Sequence, residues 1–193
     1  MVSIAAVPVM RGLGGAQSSR ATAAILVSAL EQARTAAILS GTNAYLAIAN
    51  ASTTTIPEAG RLRTYAIIRP TVDQDSNTKD DFQTNVTAPG WVLLSKWERL
   101  PGDLQFSPAN LGDQASTNPA GLVFPGNAGS STLSLIAFAP SGGLADPKGT
   151  NGLVFASSNK VTNGRASVAD RIEISQYSGR VRYAGIITNG TNF

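Results

Sequence analysis

Few residues in this chain could do chemistry, and their spacings narrow what that chemistry would be. Ser157-Ser158-Asn159-Lys160 and Ser76-Asn77-Thr78-Lys79 each set a serine three residues before a lysine, the S-x-x-K arrangement of penicillin-binding enzymes. That reaction also uses S-D-N and K-T-G motifs on a large α/β scaffold. The chain has neither motif, and a Ser-rich sequence produces such pairs by chance. Asp73, Asp75 and Asn77 offer oxygen ligands at alternate positions, as a calcium loop does. Thr78 and Thr84 stand where such a loop needs its turn glycine and closing glutamate, and Lys79 adds an opposing charge. A solvated acidic loop is the better reading, with these three as weak calcium candidates and no other metal site. The third group is basic. Between Lys160 and Tyr183 five cations (Lys160, Arg165, Arg171, Arg180, Arg182) face two anions (Asp170, Glu173), a local +3. Arg180 and Arg182, two apart on one expected strand, would point to the same side and could grip successive phosphates of DNA. Lys160 and Arg165 would add charge, and Tyr177 and Tyr183 could stack on bases. The plain alternative is a wet outer strand face whose arginines guard an edge.

Composition removes several classes of function. Of 193 residues only 14% are charged, whereas soluble domains average roughly 25%. Without cysteine there is no disulfide frame, thiolate nucleophile or Cys-ligated cluster. Without histidine the usual base near neutral pH is missing, as is the commonest metal ligand. The reading is therefore of a non-enzyme that needs no cofactor. A net charge of +3 does not by itself announce a nucleic-acid protein, and the last strands alone carry as much.

The elements that must position these residues divide into one helix and many strands. Ser18 to Ser40 contains neither Gly nor Pro and is dominated by Ala, which predicts a helix. Leu26, Leu30, Ala33 and Ala37 step by four, three and four along one face, and Ile25, Ala29 and Ala36 are expected to widen it. Glu31 and Arg34 have the spacing of a surface ion pair, and Gly41 stops the helix. Upstream, Val2–Met10 is apolar on all sides. Pro8 is expected to kink or break it, and Gly12, Gly14 and Gly15 to set it apart from the amphipathic helix. At nine residues it is far short of the roughly 20 that span a membrane. After Gly41, β-branched and aromatic runs alternate with turn residues. Strands are expected at 44–49, 62–69, 91–97, 133–139, 152–157, 171–177 and 180–187. Ser178-Gly179 would join the last two as a hairpin, and long loops would fill 71–90 and 101–131. The expected fold is α+β, with a helical part over 1–41 and an antiparallel β domain over 42–193.

This order of features resembles the type IV pilins and pseudopilins. The stretches that carry the resemblance are Val2 to Pro8, Leu30-Glu31-Gln32-Ala33-Arg34-Thr35-Ala36-Ala37, Phe138-Ala139-Pro140-Ser141-Gly142-Gly143, and Arg171–Ser175 through Ser178-Gly179-Arg180-Val181-Arg182. Together they are similar to the H-type minor pseudopilins of type II secretion and to the FimT/FimU minor pilins. The resemblance implies a pilin-like fold and a structural subunit of a secretion pseudopilus or pilus-like fibre. Its partners would be other pilins, met through the N-terminal helix, and an inner-membrane assembly platform. Pro8, Ile25, Leu26, Leu30, Ala33 and Ala37 would be the assembly helix. The location implied is the bacterial envelope, with a membrane anchor and a periplasmic domain, or an extracellular fibre. A FimT-like member would instead bind DNA during uptake through Gly179-Arg180-Val181-Arg182, and a surface adhesion module using the long loops is a third reading. The family's basic leader, processing site and first apolar turns with their Glu have no counterpart at Met1. The chain as it stands is therefore expected to be soluble and monomeric.

Overall fold

The computed structural model describes residues 7–51, 53, 56–70, 91–108, 111, 133–145, 152–163 and 165–192, with side chains described from Ser18 to Thr188. Asp73, Asp75, Asn77 and Ser76–Lys79 lie outside the described residues, so the calcium loop and one S-x-x-K pair have no structural account.

Helix α1 runs from Val7 to Ser40 without interruption, which corrects one expectation. The expectation that Pro8 kinks or breaks Val2–Met10 falls partly outside the described residues. Gly12, Gly14 and Gly15 lower helix propensity by about 1 kcal/mol each but do not break the backbone. Gly41 ends the helix in the left-handed conformation, φ +66°, as its type suggests. By length and composition Ser18–Ser40 is also long and apolar enough to cross a membrane, at mean hydropathy 1.2. In this fold its inner stripe packs on the protein's own sheets.

Among the described residues ten strands follow: β1 Ala44–Ala49, β2 Thr64–Pro70, β3 Trp91–Leu93, β4 Glu98–Arg99, β5 Leu104–Phe106, β6 Leu133–Phe138, β7 Gly152–Ser157, β8 Val161–Thr162, β9 Arg165–Ile174 and β10 Val181–Asn192. They form two antiparallel sheets. The first has the order β3-β2-β1-β6 with β4 also on β2, and the second β10-β9-β7-β5 with β8 also on β9. The expected strand over 91–97 shortens to Trp91–Leu93, because Leu94 and Ser95 both donate to the Ile67 carbonyl and turn the chain, and β4 begins only at Glu98. Strand β5 lies in what reads as loop, since three residues after Pro101-Gly102 carry too little periodicity to see.

Strands present alternate residues to opposite faces. Leu46, Ile48, Tyr65, Ile67, Ile136 and Phe138 from the first sheet meet Phe106, Leu153, Phe155, Ile172 and Ile174 from the second in one core. Ala23, Leu26, Leu30, Ala33 and Ala37 of α1 enter that same core. The helical and β parts thus share one hydrophobic interior. Alanines at 23, 33 and 37 let the helix axis approach the strands closely. Ile25 does not widen the stripe as expected, being 48% exposed at its edge.

Candidate functional site

Three of the four stretches that carry the resemblance converge at one place, the tip of the β9–β10 hairpin. Gly179 turns the chain at φ +62° and donates to the Ser175 carbonyl, while Ser175 donates to the Arg180 carbonyl. Ile174 and Val181 then face each other across the hairpin, so the two strands join where Ser178-Gly179 suggests. A second turn, Gly142-Gly143 between β6 and β7, lies directly against it. Leu144 donates to the Gln176 carbonyl, and a side chain on Gly143 would strike the carbonyls of Tyr177 and Gln176.

Glu31 and Arg34 of α1 fasten both turns. Arg34 Nε donates to the carbonyls of Gly142 and Ser178, each at 3.0 Å. Its Nη1 donates to Glu31 Oε2 at 3.3 Å, and Glu31 Oε1 accepts the Val181 N–H at 3.0 Å. What reads as an ordinary surface pair is a clamp between the helix, the hairpin and the glycine turn. Its only sequence signal is that Leu30–Arg34, Ala139–Gly143 and Ser178–Arg182 are the quoted stretches themselves.

The basic candidates are not gathered by the fold. Arg180 precedes β10 rather than lying on it with Arg182, and its exposed side chain has no partner among the described residues. Arg182 donates to Glu173 Oε2 from Nη2 at 2.6 Å and from Nε at 3.1 Å, and Arg171 pairs with the other oxygen at 3.3 Å. One carboxylate therefore holds two of the five cations. Arg165 opens β9 at the end far from the tip and pairs in register with Asn192, while Glu173 pairs with Arg182. At about 3.3 Å per residue the two places are roughly 26 Å apart. Lys160 closes a short 3-10 turn before β8, at the Arg165 end. Ser157, expected to pair with Lys160 in the S-x-x-K reading, instead donates its hydroxyl proton to the Asp103 carboxylate. Among the described residues no group of three His, Cys, Asp or Glu could hold a metal ion.

The assembly-helix candidates divide in two. Leu26, Leu30, Ala33 and Ala37 are spent in the protein's own core, and Ile25 faces out. The outward face holds Ser18, Ala21, Ile25, Ser28, Gln32, Thr35 and Leu39, all exposed and spaced alternately three and four apart. None is charged, and Leu39 is 81% exposed. The three charges of Ser18–Ser40 go elsewhere, Glu31 and Arg34 to the clamp and Arg20 beside Tyr183. Next to this face a groove of about 370 Å³ opens, walled by Ile25, Ser28 and Gln32 of α1 and by Tyr65, Ile67 and Glu98 of the first sheet.

Two tyrosines bind carboxylates. Tyr183 donates to Asp170 and Tyr65 to Glu98, at 2.6 and 2.7 Å. Burial pushes the Tyr183 phenol up to about 12, helped by the Asp170 hydrogen bond and charge and opposed by Arg20. Burial and then Glu98 raise Tyr65 further. A raised phenol holds its proton in the folded state, so this stabilisation is complete below the ordinary tyrosine range and is lost as pH climbs through the folded values. An absorbance titration should show late-ionising tyrosine, and Tyr183→Phe should remove the part that titrates near 12.

No family model matches the chain, and no curated protein does. Among solved structures the chain is similar to the type IV minor pilin FimU of Pseudomonas aeruginosa, at 14% identity and TM-score 0.41, over 85% of this chain and 90% of that one. It is also similar to the minor pseudopilin EpsH of the Vibrio cholerae type 2 secretion system, at 14% identity and TM-score 0.42, over 86% and 95%. The likeness is to a pilin-like plan, one long N-terminal helix packed against antiparallel β-sheets.

Proposed function

We propose that this protein is a structural subunit, a minor pilin or minor pseudopilin, of a type IV pilus-like fibre or type II secretion pseudopilus. It works without catalysis, in the cell envelope, and its partners are other pilins and the inner-membrane assembly platform. The observation that carries the reading is the uncharged outer face of α1. An exposed helix face ordinarily collects charge. This one keeps Ser, Ala, Thr, Gln, Ile and Leu in a straight stripe over 18–39, roughly 32 Å long. Alternating steps of three and four are the repeat at which helices meet along a seam, and short side chains let backbones approach. The apolar stripe of the same helix is already used inside the subunit, so the outer face is what remains for neighbours.

The chain has no cysteine, so single cysteines can report contacts cleanly. Ala21→Cys and Thr35→Cys, in millimolar protein treated with a short bifunctional maleimide, should give dimers. Ser167→Cys, exposed on β9, should not.

A second reading, binding of DNA, is favoured by one observation, the exposure of both Tyr177 and Arg180 at the hairpin tip. Arg182 joins only if Glu173 releases it. On this reading Glu173→Gln strengthens duplex binding about threefold to tenfold at low salt, Arg180→Ala abolishes the gain, and salt weakens both. No binding by Glu173→Gln at low salt removes it.

A further inference from the structure

We infer that the groove beside the outer face of α1 receives the hairpin tip of a second copy of this chain, with Tyr177 in the groove and Arg180 on Glu98. The inference rests on the subunit reading above and names a second contact, beside the α1 face.

The two surfaces match in charge and in apolar content. Glu98 is the one charged residue lining the groove among the described residues. Its Oε2 is held by the Tyr65 hydroxyl, and its Oε1 has no partner among the described residues. Around it the walls include Ile25, Ile67 and Gln32. Lys96 is exposed nearby but does not line the groove. The tip offers the converse, a Tyr177 ring that is 87% exposed and an unpaired guanidinium on Arg180. Ile38 lies against the Gly142 turn that supports the tip, and Leu39 follows it, so the surroundings are apolar too. A planar guanidinium on a carboxylate, beside an aromatic ring in an apolar slot, is the pattern of a strong interface anchor. The clamp matters here. Glu31 and Arg34 fix the tip to the helix, so docking orders little that was free.

Placement sets the kind of assembly. Ile25 in the groove and Ile38 beside the tip are thirteen residues apart on α1, roughly 20 Å along its axis. A contact between two different surfaces so displaced can repeat head to tail, and where the rotation between copies does not close into a ring it stacks them in an open series. That is the geometry a fibre needs.

The test uses millimolar full-length protein and mixed cysteine variants. Gln32→Cys in one copy and Ser178→Cys, exposed at the tip next to Tyr177, in the other should be trapped as a mixed dimer by a short bifunctional maleimide. Adding Arg180→Glu to the Ser178→Cys copy should cut its yield on the order of tenfold, because like charges then face each other. Adding Glu98→Arg to the Gln32→Cys copy should restore it. The inference fails if the mixed dimer does not form, or if neither reversal changes its yield. Trapping of Ala21→Cys protein in the same conditions separates the two claims. Ala21→Cys dimers without the mixed dimer keep the helix reading and overturn this one, whereas the mixed dimer without Ala21→Cys dimers keeps the tip contact and overturns the helix seam.

Discussion

Gly179→Ala is expected to destabilise the protein by roughly 3–5 kcal/mol, far more than the usual cost of a side chain in a left-handed turn. Two effects add. Alanine at φ +62° costs about 1 kcal/mol. Its Cβ would also run into the carbonyl oxygen of Gly142, and that oxygen is held by Arg34. The Gly142 turn cannot yield without breaking the clamp. Gly41 supplies the control, with φ +66° and open space where a Cβ would go. Gly41→Ala should therefore lose only the conformational term, about 1 kcal/mol. For a chain of this size each kcal/mol is worth about 2–4 °C in Tm, so thermal denaturation resolves the two variants. Equal losses would mean that the hairpin tip is a free turn and not a part wedged between helix and loop.

Arg34→Ala is the second large effect, at roughly 2–3 kcal/mol. It leaves two backbone carbonyls and one oxygen of the Glu31 carboxylate without their donor. Both Arg34 and Glu31 are partly open to solvent, so the loss stays below that of a fully buried charge network. Glu31→Ala should cost about 1–2 kcal/mol by freeing the Val181 N–H. The double variant should lose less than the sum, with a coupling of about 0.5–1 kcal/mol, since the two side chains hold one junction. An isolated pair three residues apart on a wet helix is worth only about 0.2–0.5 kcal/mol, so denaturant midpoints distinguish the clamp from that case.

The contrast between those figures shows where sequence reading stops. The spacing of Glu31 and Arg34 identifies the pair, but spacing along a helix cannot say what faces it from residues more than a hundred positions away. The buried stripe of Leu26, Leu30, Ala33 and Ala37 was legible because 3.6-residue periodicity is local. Strands β1 and β7 were legible to the residue, as short apolar runs bounded by turn signals. Ile25 was misplaced since its sequence position lies at the edge of the stripe, and only the approach of the first sheet decides which edge is covered. The basic cluster looked continuous because Lys160 to Tyr183 is short in sequence. A ten-residue strand carries its two ends far apart, and register then hands Arg182 to Glu173. The uncharged outer face of α1 was not legible, because Ala, Ser, Thr and Gln carry no chemistry of their own and their significance lies in the charges that are missing from an exposed face.

That missing charge is the core of the functional account, and one measurement bears on it directly. Ala21→Glu with Thr35→Glu puts two charges on the outer face of α1 and touches no buried residue. Glutamate is a good helix former, so the denaturation midpoint should stay within about 1 kcal/mol of the parent. In that background, maleimide trapping of millimolar Ser18→Cys protein should fall to the level of the off-helix control, Ser167→Cys. Trapping that continues undiminished would mean that copies do not meet along this face, and the proposed role of α1 in assembly would be wrong.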